Sequence, residues 1–134
     1  MSRSTPRSAR VAGTLAVLAT LVMGSAAPVA ARHDEDVERR GRCSQGSEWK
    51  VKASPKDGRI EIEGEVDSGD GGQWWKWRLY HNDFLSARGR RRTEVSSGSF
   101  KVEREMTDLA GSDRFSFRAR STRSGEWCRG PVSF

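Results

Sequence analysis

With 134 residues, 31% of them charged and 34% hydrophobic, the chain has room for one packed domain and none for a second core. Two cysteines and two histidines, none at zinc-ligand spacing, exclude a structural metal cluster as the organising feature. The formal net charge of +6 falls to +3 once Arg3, Arg7 and Arg10 of the N-terminal segment are set aside, which leaves a surface dense in both signs and mildly biased toward anionic partners.

Residues 1–31 read in three parts: the basic stretch holding those arginines, an apolar run from Val11 to Met23, and the small-residue stretch from Gly24 to Ala31. This is the layout of a secretory signal peptide, and Val29-Ala30-Ala31 predicts cleavage after Ala31. The rival, an uncleaved anchor, is disfavoured by Pro28 and by the Ala, Gly, Thr and Ser content, since a spanning helix needs ~20 strongly apolar residues. No Arg-Arg pair precedes the apolar run, so general secretion is expected, and neither cysteine lies close enough behind it to accept a lipid. Release without a transmembrane anchor follows. Residues 32–42 carry one apolar side chain, Val37, and are expected to form a flexible charged tail; His33 with Asp34, Glu35 and Asp36 reads as solvated rather than as a metal site.

From Ser47 onward apolar and polar residues alternate between clusters of Gly, Pro, Asp, Asn and Ser, the pattern of half-buried antiparallel strands. Seven such runs follow. The first puts Trp49, Val51 and Ala53 on one face, and the second does the same for Ile60, Ile62, Gly64 and Val66. A loop over Pro55–Gly58 pairs Ala53 with Ile60 and opposes Lys52 to Glu61 and Lys50 to Glu63; a two-residue Asp57-Gly58 turn shifts the pairing by two and keeps the same faces. In both registers Glu61, Glu63 and Glu65 form a wet face opposed by lysines rather than catalytic carboxylates or calcium ligands. The third strand spans Gln73–His81, the fourth Phe84–Thr93, the fifth Ser99–Met106, the sixth Asp113–Ser121 and the seventh Trp127–Phe134. Together they predict an all-β, seven-stranded immunoglobulin/fibronectin III-like antiparallel sandwich over 43–134. Its expected core is Trp49, Val51, Ile60, Ile62, Val66, Trp75, Trp77, Leu79, Phe100, Val102, Phe115, Phe117 and Val132. Cys43 and Cys128 bracket the domain, and two cysteines in an exported chain are expected to pair.

The closing segment, Arg114-Phe115-Ser116-Phe117-Arg118-Ala119-Arg120, then Gly125-Glu126-Trp127 and Pro131-Val132-Ser133-Phe134, resembles the last two strands of a fibronectin type III domain. The chain as a whole is similar to small secreted proteins of high-GC actinobacteria. That likeness rests on the alanine-rich leader, the Cys43-Ser44 and Cys128-Arg129 bracket, and the turns Ser97-Gly98-Ser99-Phe100 and Thr122-Arg123-Ser124-Gly125-Glu126. It implies export and brings no activity, cofactor or site residue with it.

Hydrolytic chemistry needs a nucleophile, a base and an orienting group, or a metal. His81 is the sole histidine of the expected domain; His81-Asn82-Asp83 reads as an exposed turn, and no Gly-x-Ser-x-Gly elbow accompanies it. A carboxylate pair would have to come from Asp67, Asp70, Asp83 or Asp108, all in loops. Neither an enzyme nor a cofactor is expected. In the third strand, period two turns Trp75, Trp77 and Leu79 inward and Trp74, Lys76, Arg78 and Tyr80 outward, where aromatics among cations are either a stacking surface for sugars or bases or a covered wet face. In the fourth, Arg88, Arg90 and Arg92 project from one face and Arg91 from the other. They either attract a polyanion, wall polymer or lipid head group, or guard an edge strand. The expected function is a secreted, non-catalytic binding or interaction module. Its partner would be an anionic envelope polymer, a polysaccharide or another secreted protein, with no nucleic acid. A polysaccharide-binding module using Trp74 and Tyr80 is the alternative, and a secreted hydrolase the third choice.

Overall fold

The computed structural model describes residues 35–134; the segment read as an export signal, 1–31, and residues 32–34 of the tail with His33 lie outside them. Eight strands and no helix occur among the described residues: β1 (Val37–Arg42), β2 (Glu48–Lys56), β3 (Arg59–Asp67), β4 (Trp74–His81), β5 (Phe84–Arg92), β6 (Ser99–Thr107), β7 (Arg114–Ser121) and β8 (Trp127–Ser133). They form two antiparallel four-stranded sheets, β1-β2-β3-β6 and β5-β4-β7-β8. The seven expected strands are β2 to β8. The correction is β1: Val37–Arg42, assigned by its charge to a flexible tail, pairs with β2, Val37 opposite Ala53 and Gly41 opposite Trp49. So polar a segment has little surface to bury, but the free edge of β2 offers its backbone a row of hydrogen bonds, and Val37 packs against the core.

The β2–β3 hairpin takes the two-residue turn rather than the four-residue loop. Asp57 (φ 50°) and Gly58 (φ 75°) both adopt the left-handed region, as a two-residue type I′ turn requires, and Lys56 pairs with Arg59. Ala53 therefore faces Ile62 rather than Ile60, and Val51 faces Gly64. Pro55 lies inside β2, beyond the end of β1. In a two-residue hairpin its pair with Ile60 is a non-bonded one, so the missing N–H points to the side where no partner strand remains. Asn82 (φ 46°) and Asp83 (φ 71°) make the same kind of turn between β4 and β5.

The inward faces meet in one core in which Val51, Ile60, Ile62, Val66, Trp75, Leu79, Phe115 and Phe117 are essentially inaccessible. Of the expected core, only Trp49 is left partly exposed, because it packs at the rim, against edge strand β1. Cys43 and Cys128 form the expected disulfide, Cα–Cα 4.3 Å, and tie the β1–β2 connection to β8. Beside it the buried Glu126 carboxylate accepts the backbone N–H of Gln45 (3.1 Å) and of Ser47 (2.9 Å) and the Ser47 hydroxyl (2.7 Å).

The outer face of the first sheet is an ion-pair ladder. Lys50 bridges Glu63 (3.2 Å) and Glu65 (2.7 Å), Lys101 bridges Glu63 (3.3 Å) and Glu103 (2.8 Å), and Lys56 joins Glu61 to Glu105. Glu61 and Glu63 stand directly opposite Glu105 and Glu103, so these lysines neutralise what would be like-charge repulsion. Partial burial pushes the Glu63 carboxyl up, but bonds from Lys50 and Lys101 outweigh it and hold the group below its ordinary range. A carboxyl depressed on folding stabilises above its unfolded pKa and loses that contribution as pH falls through the folded value. Acidification from about pH 7 to about pH 3 is thus expected to remove less than ~1 kcal/mol through this ladder, read as a small shift in urea midpoint that Glu63→Gln abolishes.

Candidate functional site

The second sheet's outer face differs from the first in kind. Register places Arg88 opposite Arg78, Arg78 opposite Arg118 and Arg118 opposite Arg129, so one row across all four strands consists of arginine. The next row reads Arg90, Lys76, Arg120 and Trp127, and Arg92 pairs with Trp74 beyond it. No carboxylate occupies an outward position in these rows. Among the described residues, none of Lys76, Arg78, Arg88, Arg90, Arg118, Arg120 and Arg129 is within ion-pair distance of an acid. Like charges directly opposite destabilise a sheet. A face that keeps this repulsion uncompensated, while the other sheet bridges its Glu61–Glu105 and Glu63–Glu103 conflicts with lysine, departs from local stability rules in the way binding surfaces do.

Trp74, Lys76, Arg78, Tyr80, Arg88, Arg90 and Arg92, the expected binding candidates, all lie on this face. Trp74 is 45% exposed with the Arg90 guanidinium 5.0 Å from its ring, and Tyr80 is covered by Arg118 at 4.4 Å. Arg88, Arg90 and Arg92 project together as expected; Arg92 also donates from Nε to the Gly72 carbonyl (2.9 Å). Arg91 lies opposite Trp75 on the inward side, yet it is exposed, because β5 is an edge strand there. Sequence reasoning missed Arg118, Arg120, Arg129 and Trp127, which is 57% exposed. Their alternation is visible in the sequence, but only the placement of β4 between β5 and β7 brings them beside Arg78 and Lys76. A shallow depression of ≈ 760 Å³ runs among Lys76, Arg78, Arg88, Arg118, Arg120, Trp127 and Arg129.

The other candidates resolve differently. His81 ends β4, where the third strand was expected to end, but it is not exposed at the turn. Its side chain is mostly buried, stacks on Phe115 (4.5 Å between centroids) and meets Asp113 through Nε2 (2.5 Å). The turn is Asn82–Asp83 alone, which leaves His81 with strand geometry facing the core side. The buried Asp113 also accepts from the Asn82 amide (3.4 Å) and the Leu109 N–H (3.0 Å), so the pair ties two loops together. No Ser, Thr or Cys side chain bonds to His81 among the described residues. Asp67 and Asp70 lie at the β3–β4 end of the domain, where Asp67 accepts from Gly69 N–H and Asp70 from the Gln73 amide. Asp83 and Asp108 lie at the other end, so the four do not converge. No family model, curated protein or solved structure matches the chain.

Proposed function

We propose that the protein is an exported, non-catalytic binding module that holds an anionic cell-envelope polymer on the outer face of its second sheet. The observation that carries this is the set of uncompensated cations spread over four strands of that face. Export is supported by the leader-like segment and by the disulfide, which suits an oxidising compartment. The immunoglobulin/fibronectin III-like assignment is supported by strand order. With β2 to β8 taken as A, B, C, C′, E, F and G, the sheets read A-B-E and C′-C-F-G, with β1 added beside A. The disulfide is not the B–F bridge of antibody domains, since it links the segment before A to G.

A flexible polyanion held by four to six of these cations is expected to lose affinity on the order of a hundredfold between about 50 and about 200 mM salt. Replacing Arg88, Arg90 and Arg92 with serine should weaken retention on a phosphate polymer several-fold at low salt and leave the unfolding free energy within ~0.5 kcal/mol, as for exposed residues generally. Retention of the triple variant equal to that of the parent would leave these arginines only the guarding of an edge. The polysaccharide alternative draws on exposed Trp74 and Trp127, but Arg90 and Arg118 already lie over Trp74 and Tyr80. Binding to a neutral glycan, indifferent to salt and lost in Trp127→Ala, would favour it.

A further inference from the structure

Building on the polyanion role proposed above, we infer that the ligand is a linear phosphodiester polymer and that it lies across the strands, along the row Arg88, Arg78, Arg118 and Arg129, rather than along β5. Adjacent strands stand ~4.8 Å apart, so the row is a line of four guanidinium groups about 14 Å long. Arg78, Arg88 and Arg129 make no side-chain hydrogen bond or ion pair among the described residues, and Arg118 lies over Tyr80 with its N–H groups uncommitted. Along β5, Arg88 belongs to this row, Arg90 lies in the next one beside Lys76, and Arg92 is already committed, donating to the Gly72 carbonyl. Each guanidinium presents a planar fork of donors that fits the two free oxygens of a phosphodiester. Flexible polyol links let successive phosphates adjust to the strand spacing. A uronic-acid polymer, with carboxylates spaced by stiff rings, has no such adjustment, and an anionic membrane meets row and column alike.

The test removes the same charge in two directions. Arg78, Arg118 and Arg129 are changed to serine in one variant, and Arg88, Arg90 and Arg92 in another; binding to poly(glycerol phosphate) is measured against salt, with thermal unfolding as the check on folding. If each phosphate contact contributes ~0.7 to the log–log salt slope, the row variant should lose about 2 from the slope and the column variant less than about 1. A third variant carrying lysine at positions 78, 118 and 129 keeps the charge and loses the forks. It is expected to bind more weakly than the parent with its slope little changed. Equal losses in the two serine variants, a larger loss in the column variant, a lysine variant as tight as the parent, or phosphatidylglycerol vesicles or hyaluronate bound as tightly as poly(glycerol phosphate) would each overturn the assignment. A parent domain that binds none of these polyanions at low salt would instead defeat the underlying role.

Discussion

Changing both Cys43 and Cys128 to alanine is expected to destabilise the domain by about 4 to 5 kcal/mol, the chain-entropy value for so long a closed loop. The residues are 85 apart in sequence, and the bridge joins the connection before β2 to the last strand. It therefore restricts nearly the whole unfolded chain of the domain. Native stabilities of small domains are ~5 to 15 kcal/mol, so this is a large fraction of the total. Urea unfolding of the double variant against the parent gives the value. A loss below about 1 kcal/mol would mean that the unfolded chain is compact without the bridge. The Glu126 clamp and the Ser44–Trp127 backbone bond span the same seam and should keep the two ends together in the native state even when the sulfurs are gone.

The second large effect sits at the centre of the sandwich. A Cβ added at Gly64 would fall 2.5 Å from Cδ2 and 2.7 Å from Cγ of Phe117, whose ring is inaccessible and surrounded by core. Neither partner has room to retreat, so Gly64→Ala is expected to cost about 3 kcal/mol, the upper end for overpacking. Phe117→Ala, which opens a cavity in the same place, should cost ~3 to 5 kcal/mol. The two are not independent. The alanine methyl enters space that the ring has left, so the double variant should be more stable than the sum of the single losses implies, by at least about 1 kcal/mol in a double-mutant cycle. Strict additivity would show that the ring moves aside instead.

The parts of this architecture legible in the sequence are those that follow from period two. Alternation alone turned Trp75, Trp77, Phe115 and Phe117 inward and Trp74, Lys76, Arg78 and Tyr80 outward, as they are found. Local turn chemistry is half legible: Asp57-Gly58 reads as a turn, but Pro55 argues for a longer loop, because a proline looks wrong inside a strand until the end of its neighbour is known. β1 was hidden for a related reason. Its side chains carry almost no core signal, and its stability comes from the edge it joins, which no local pattern reveals. In the sequence the candidate site is legible only as two strands' worth of side chains. Which strand lies beside β4 is a long-range pairing, and it is this pairing that turns separate arginines on β5, β4, β7 and β8 into one row.

The contrast between the two outer faces also makes the domain an electric dipole, positive on the β5-β4-β7-β8 side and near balance on the other. In the field of a negatively charged wall such a body turns before it touches, with the arginine face leading, which raises the productive share of encounters at low ionic strength. Once seated it would present the Glu–Lys ladder outward. The next arriving molecule then meets a mixed-sign surface rather than a negative one. On the proposed polyanion role, coating by this domain would consequently be self-limiting, stopping at a single layer without bridging one polymer bundle to another.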